Sequence, residues 1–258
     1  MKDSDDVAWY FMHIPKTAGT STIAWLHSLG RFTACPHGLW SLLLAEDRAS
    51  LSRYDLFCGH FYRYLAAYLG RPLATFTFIR NPLDRAYSHY RHVARDTHHY
   101  FHARAKEQGS FGAFLRDPVT QPLVRNFQTR ALAAMFDPVA VQSAVSHEGK
   151  YALERHLETV ASGLSDEDEL ALAKDGLHRC VFVGIAERMK ESTALLARVL
   201  EVEVERGPEW LNRDDGPPAQ LTPEEWRLAT ELNRNDLRLY EYALTLFHRY
   251  RDAGRPSA

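Results

Sequence analysis

The order of apolar runs and helical stretches predicts an α/β fold, a central, mostly parallel sheet flanked by helices on both faces in three layers. Three observations carry this. Short apolar runs alternate with longer amphipathic stretches, two of those runs end in Gly-His or Arg-Asn-Pro, and no internal repeat interrupts the alternation. At 258 residues, 45% hydrophobic and 25% charged, the chain can bury a sizeable core, and one domain over 1–258 is expected.

Tyr10, Phe11, Met12 and Ile14 form the first strand, and Pro15 stops it because it has no N–H for a ladder. Lys16, Thr17, Ala18, Gly19, Thr20 and Ser21 make a loop of small and hydroxyl residues, after which Ile23 and Leu26 recur at helical spacing. A turn at Pro36-His37-Gly38 precedes the apolar segment Leu39 to Leu44. Tyr54 to His60 reads as the second strand, and Phe61 to Leu69 as an aromatic-rich helix closed by Gly70 and Pro72. Residues 74–80 are the clearest strand, β-branched and aromatic, ending at Asn81-Pro82. Asn81 can cap and Pro82 fits a first turn, so a helix is expected from about Pro82 to Arg95.

Residues 96–150 read as helical pieces broken at Gly109, Gly112, Pro118 and Pro122. Tyr151 to Ala161 is an amphipathic helix, and Ser165 opens a short acidic one that ends near Gly176. Cys180 to Ile185 suits a buried parallel strand, and Glu187 to Glu201 returns to helix. Val204 to Pro218 is a loop rich in Gly, Pro and charge. Thr222-Pro223-Glu224-Glu225 is a capping box from which helix runs to Arg251, with a break near Asn233–Asn235.

A net charge of −2 argues against a general nucleic-acid binder. Cys35, Cys58 and Cys180 form neither a metal pair nor a disulfide framework and are expected to be buried thiols. No apolar stretch is long enough to span a bilayer.

Strand, small-residue loop and helix start together make a cradle for an anion: the first N–H groups of a helix lack partners in the chain, and its dipole favours negative charge. Gly19 admits a close ligand, the hydroxyls of Thr17, Thr20 and Ser21 add donors, and Lys16 adds a cation. An ordinary capped strand–helix turn is the plainer alternative. A nucleotide triphosphatase P-loop is a poor match, because here Lys precedes Gly and the first Gly is missing. Arg80 falls at the carboxyl end of a strand, where ligands bind in open α/β sheets. Ser88 follows on the next helix, sharing a face with Arg85, and a guanidinium with a hydroxyl suits a phosphate monoester. Residues 71–110 hold seven Lys/Arg against three Asp/Glu and five His, a basic region that fits a multiply charged anion as well as a solvated helix face. His60 lies just beyond a strand with no companion at zinc spacing. His13 is its competitor and reads as packing under the loop. His89, His92, His98, His99 and His102 lack metal spacing and read as a solvated face, with some members free to line a cleft.

Two of these segments occur in an informative order. H-I-P-K-T-A-G-T-S resembles the 5′-phosphosulfate loop of sulfotransferases that use 3′-phosphoadenosine 5′-phosphosulfate (PAPS), and R-N-P-x-x-R-x-x-S-x-Y resembles their 3′-phosphate segment. The motifs look most like the branch of the heparan-sulfate 2-O-sulfotransferases and bacterial carbohydrate sulfotransferases. Asn126-Phe127-Gln128-Thr129-Arg130 resembles that family's N-x-Q-T-R helix, and Val183-Gly184-x-x-Glu187-Arg188 its V-G-x-x-E-R segment. Together they run from about residue 10 to 248. The resemblance implies a P-loop-like fold and transfer of a sulfuryl group from PAPS to a hydroxyl of a carbohydrate, lipid or small molecule, with the phosphoadenosine phosphate as product. It implies Pro15 to Ser21, Arg80 and Ser88 as nucleotide ligands, His60 as general base and Lys16 at the leaving phosphate. Gly184 is placed near the adenine, and Asn212-Arg213 near a closing loop. No metal is expected, since no Mg²⁺-holding Asp is evident. The eukaryotic relatives are usually Golgi-anchored by an N-terminal helix; MKDSDDVAWY is acidic and lacks a long apolar run, so a cytoplasmic protein is expected. The alternatives are a P-loop-like ATP-dependent kinase and an inactive nucleotide-binding regulator.

Overall fold

Among the residues that the computed structural model describes (7–145, 148, 151–203 and 221–253), four strands form one parallel sheet. They are β1 (Ala8–Met12), β2 (Leu56–Gly59), β3 (Leu73–Ile79) and β4 (Phe182–Ile185), in the order β2-β1-β3-β4. The α-helices are α1 (Gly19–Ser28), α2 (Trp40–Leu43), α3 (Leu65–Leu69), α4 (Pro82–Arg95), α5 (His102–Gln108), α6 (Phe111–Arg116) and α7 (Phe127–Ala133). They continue with α8 (Pro138–Val145), α9 (Ala152–Thr159), α10 (Asp166–His178), α11 (Met189–Val199), α12 (Pro223–Leu232) and α13 (Arg234–Ala253). The expected α/β fold with a parallel sheet flanked by helices is the observed one.

Every residue of β2 and β4 is buried, as a parallel sheet covered on both faces requires. Phe11 stacks on Phe76 at 5.4 Å between ring centres, and Phe78 meets Phe182 edge-on at 6.2 Å. The rings of Phe11, Phe76, Phe78 and Phe182 are all fully buried, each contributing roughly 1.5–3 kcal/mol of transfer free energy. A second apolar cluster, Leu83, Val93, Phe111, Phe114, Leu123 and Leu232 among its members, forms where α4, α6 and α12 meet.

The register sets Met12 beside Gly59, and Ile79 beside Ile185. All four strands therefore end on one edge. From β1 the chain moves outward to β2 on one side and, after returning, to β3 and β4 on the other. The strand order reverses between β1 and β3, and the crevice beyond that switch point is where open α/β sheets bind ligands.

Several boundaries differ from expectation for local reasons. Gly112 lies inside α6 rather than breaking it; at the second position of the helix its N–H has no partner in the helix, and Glu225 accepts it at 2.9 Å. The stretch after His60 starts as a 3₁₀ turn, Tyr62–Tyr64, before α3. The capping box at Thr222 and the break at Asn233 are as expected. The loop at 204–218, with Asn212 and Arg213, lies outside the described residues. Cys35, Cys58 and Cys180 are free and buried.

Candidate active site

The loop between β1 and α1 is a backbone device before it is a side-chain one. Lys16 and Ala18 both hold φ of 70°, a left-handed conformation that costs on the order of 1–2 kcal/mol for a residue with a Cβ. Alternating handedness turns successive N–H groups into a concavity, the geometry of an anion nest. The first bond of α1 back along the chain is Thr22 N to Ala18 O at 3.1 Å, so the N–H groups of Gly19 and Thr20 precede the helical ladder. Thr17 departs from its expected place. It is fully buried, its hydroxyl donates to Ile14 O at 2.9 Å, and it braces the loop from below.

Gly19 is glycine because of His13. A Cβ at residue 19 would fall 1.8 Å from His13 Nε2. The His13 ring fills that space, stacked on Phe11 at 5.6 Å and tilted against His60 at 4.6 Å. Burial and the neighbouring His60 and Lys16 hold His13 far below the usual imidazole pKa, so it packs as a neutral ring under the loop.

His60 is fixed by main chain. Its N–H donates to Gly38 O at 3.0 Å, and Gly59 N-terminal to it lies so close to Gly38 that a Cβ would sit 2.4 Å from that same oxygen. Its Nδ1 lies 2.8 Å from His13 O. A carbonyl only accepts, so Nδ1 carries the hydrogen and Nε2 keeps the lone pair. Burial lowers the His60 pKa, while the bond to His13 O and the charge of Glu154 oppose that drop.

On the other side of the cradle, Arg80 extends from β3. Its Nη1 donates to Lys16 O at 3.2 Å, and Gln128 grips its backbone at both ends, accepting from N at 3.0 Å and donating to O at 2.9 Å. Asn81 caps α4, its side chain accepting from Leu83 N and Asp84 N. Its own N–H donates to Glu187 Oε1 at 2.7 Å, and Tyr240 donates to Oε2 at 3.1 Å.

These groups enclose a cavity of about 760 Å³, large enough for a nucleotide and part of a second ligand. Pro15, Lys16, Ala18, Gly19, Thr20, Ser21, His60, Arg80 and Ser88 all line it, and His13 and Glu187 join them. The face of α4 turned to the cavity carries Asp84, Ser88, His92 and Arg95. Arg85 lies elsewhere. It is fully buried, donates to Leu123 O at 2.6 Å and Pro15 O at 3.4 Å, and stacks on Phe127 at 4.6 Å. The face expected to join Arg85 with Ser88 is therefore corrected: Arg85 buttresses the loop at Pro15, and burial pulls its pKa down to about 10.

A family profile described as "Sulfotransferase family" matches residues 2–243. The chain belongs to the sulfotransferase family. No curated protein matches it significantly.

In this sulfotransferase the Asn126–Arg130 segment supports the cleft from behind. Gln128 holds Arg80, the amide oxygen of Asn126 caps α13 at Asn235 N and Asp236 N, and Thr129 donates through both N and Oγ1 to Asp236 at 2.7 Å. Gly184 packs against Phe78, whose ring a Cβ there would meet at 2.7 Å.

The histidine cluster is only in part a solvated face: His98 is exposed, while other members turn inward. His89 is 1% exposed, and His89, His92, His98 and His99 line the cavity. A ring nitrogen from each of His89 and His99 and a carboxylate oxygen of Glu158 lie within 4.8 Å of one another. Their hydrogen bonds suit a cation poorly. Nδ1 of His89 faces Arg85 Nη1 at 3.2 Å, and Nδ1 of His99 accepts from Phe101 N at 3.1 Å. Each bond places the ring hydrogen on Nε2, leaving no lone pair there, and the charged Arg85 adjoins. Arg85 lies one turn before His89 on α4 and Phe101 two residues after His99, but only the folded chain brings His89, His99 and Glu158 of α9 together. Two further cavity residues, Trp40 and Glu154, were not singled out by sequence; neither lies in a recognisable motif.

Proposed function

We propose that the protein transfers a sulfuryl group from PAPS to a hydroxyl of a small or carbohydrate acceptor, as a single catalytic unit. The observation that carries this reading is the tautomer of His60. The His13 carbonyl holds its Nδ1 hydrogen, which leaves Nε2 as a proton acceptor beside an anion cradle. An imidazole with a pKa below working pH is mostly unprotonated there and ready to accept.

In the proposed reaction the acceptor oxygen attacks sulfur in line. Its proton passes to His60 Nε2, an O–S bond forms, and the bond from sulfur to the 5′-phosphate oxygen breaks, releasing 3′,5′-phosphoadenosine phosphate. The loop N–H groups and Lys16 take up the charge that grows on the departing phosphate oxygen, where preorganised donors contribute most. Arg80 and Ser88, across the β1–β3 crevice, bind the 3′-phosphate. Thr20 and Ser21 bind at the helix start, while Thr17 shapes the loop without facing the ligand. Positioning and electrostatics perform the chemistry, as in phosphoryl transfer.

The test is thermal shift with phosphoadenosine phosphate against ATP and Mg²⁺, followed by transfer from labelled PAPS to a panel of hydroxyl compounds. His60→Ala is expected to lose turnover by about 10²–10⁴-fold while still binding phosphoadenosine phosphate. Preference for ATP with Mg²⁺ would instead establish the kinase reading. Nucleotide binding with no transfer to any acceptor would establish the regulator reading.

A further inference from the structure

The sheet order divides the cavity. Beyond β3 and β4 stand Arg80, Ser88 and Glu187; beyond β2, past His60, stand Leu39, Trp40, Tyr62, Tyr151, Glu154 and Leu157. Two residues that line this second lobe each carry a buried polar atom with no partner among the described residues. Trp40 is 1% exposed, wedged edge-on between Phe61 at 5.2 Å and Tyr68 at 5.4 Å, and its Nε1–H has no partner. Glu154, on α9, accepts from Ser41 N at 2.9 Å through Oε1, which ties α9 to α2. Its Oε2 is buried without a partner. The neighbouring carboxyl, Glu158, differs: the Tyr100 hydroxyl donates to it, and Arg85 and Arg130 oppose its charge.

An orphaned donor and an orphaned carboxylate oxygen in one aromatic-walled lobe define what should fill it. A buried polar atom left without a hydrogen bond is costly, so each implies a partner. Trp40 Nε1–H needs an oxygen, and Glu154 Oε2 needs a donor that carries no negative charge. Resting on the sulfotransferase reading above, we propose that the acceptor is a neutral or amine-bearing polyol. One of its oxygens receives Trp40 Nε1–H, and a second hydroxyl or an ammonium donates to Glu154 Oε2. Glu154 selects against acidic acceptors, since a carboxylate or sulfate at that point would face a buried like charge. This is the opposite charge preference to that of a site for a polyanionic glycan.

The experiment uses the complex of the protein with phosphoadenosine phosphate and three matched probes, the methyl glycosides of glucosamine, glucose and glucuronic acid. Dissociation constants are read by ligand-observed NMR, with thermal shift by phosphoadenosine phosphate as the control for the nucleotide site. The expected order of affinity is glucosaminide, then glucoside, then glucuronide. Glu154→Gln, which keeps the bond to Ser41, narrows the spread between cation and anion by about ten- to a hundredfold. Trp40→Phe, which keeps a ring but removes the donor, weakens all three by a similar factor of about ten. Equal affinity for the three glycosides, a spread unchanged in Glu154→Gln, or no binding of any glycoside to the nucleotide complex would overturn the assignment. Loss of the nucleotide shift in the wild-type protein would instead defeat the sulfotransferase reading itself.

Discussion

Replacing Gly19 by Ala isolates the contact between the anion loop and His13. In most helices the change stabilises by up to about 1 kcal/mol, because Ala has the higher helix propensity. Here the new Cβ would lie 1.8 Å from Nε2, 2.1 Å from Cδ2 and 2.2 Å from Cε1 of His13. Ordinary carbon contacts are near 3.5 Å, so the ring must shift on the order of 1.5 Å. That shift is opposed by Phe11 and His60 on its flanks and by the His13 carbonyl bonded to His60 Nδ1. Overpacking of this kind costs about 1–3 kcal/mol, which outweighs the propensity gain. Gly19→Ala should therefore unfold at lower denaturant and lose affinity for phosphoadenosine phosphate. In a His13→Ala background the same change should be neutral or stabilising. Denaturant titration of the four proteins in the cycle gives the coupling, expected at about 2–3 kcal/mol with opposite signs for Gly19→Ala in the two backgrounds. Equal effects of Gly19→Ala in both backgrounds would refute the reasoning.

Four further outcomes follow from the same contacts. Arg80→Ala should weaken phosphoadenosine phosphate by about ten- to a hundredfold but barely change adenosine 5′-phosphate, as isothermal titration with both ligands would show. Glu154→Gln should move the acid limb of the pH–rate profile to lower pH, because removing a carboxylate that favours the imidazolium of His60 lowers its pKa further. Asn126→Ala removes the acceptor for two N–H groups at the start of α13 and should cost about 1–2 kcal/mol, read as a melting temperature lower by several degrees. His89 stays neutral when folded because burial and Arg85 depress its pKa, so below about pH 6.5 the unfolded chain binds a proton that the folded one does not. Its contribution is present above that pH and is lost on acidification. Stability measured from pH 6.5 to 5 should thus fall less steeply in His89→Asn than in wild type, by about 1.4 kcal/mol per pH unit.

What could be read from the sequence was local chemistry in chain order. The apolar runs ending at Pro15, His60 and Asn81 located three strand ends, and those ends surround the cavity. What escaped was orientation. Three-residue spacing suggested that Arg85 and Ser88 share a face, yet one helix position decides between cavity and core, and Leu123 O draws Arg85 into the core. Thr17 resembled Thr20 and Ser21 as a donor until the strained backbone at Lys16 and Ala18 turned its hydroxyl onto Ile14. The His89–His102 stretch read as a solvated face because it lacks metal spacing; Phe127 of α7 covers His89 and Glu158 of α9 holds Tyr100, which no local pattern announces. Gln128 could be placed on a helix but not on Arg80, 48 residues earlier.

The meeting of Gly38 and Gly59 has a practical consequence for redesign. The His60 imidazole is positioned by two residues without side chains and by peptide groups at Gly38 and His13, so its place rests on main chain rather than on side-chain packing. Side chains of α2 and α9 that face the cavity, other than Trp40 and Glu154, can then be varied with the ring of His60 left in register, since Trp40 packs on Phe61 and Glu154 acts on the His60 charge.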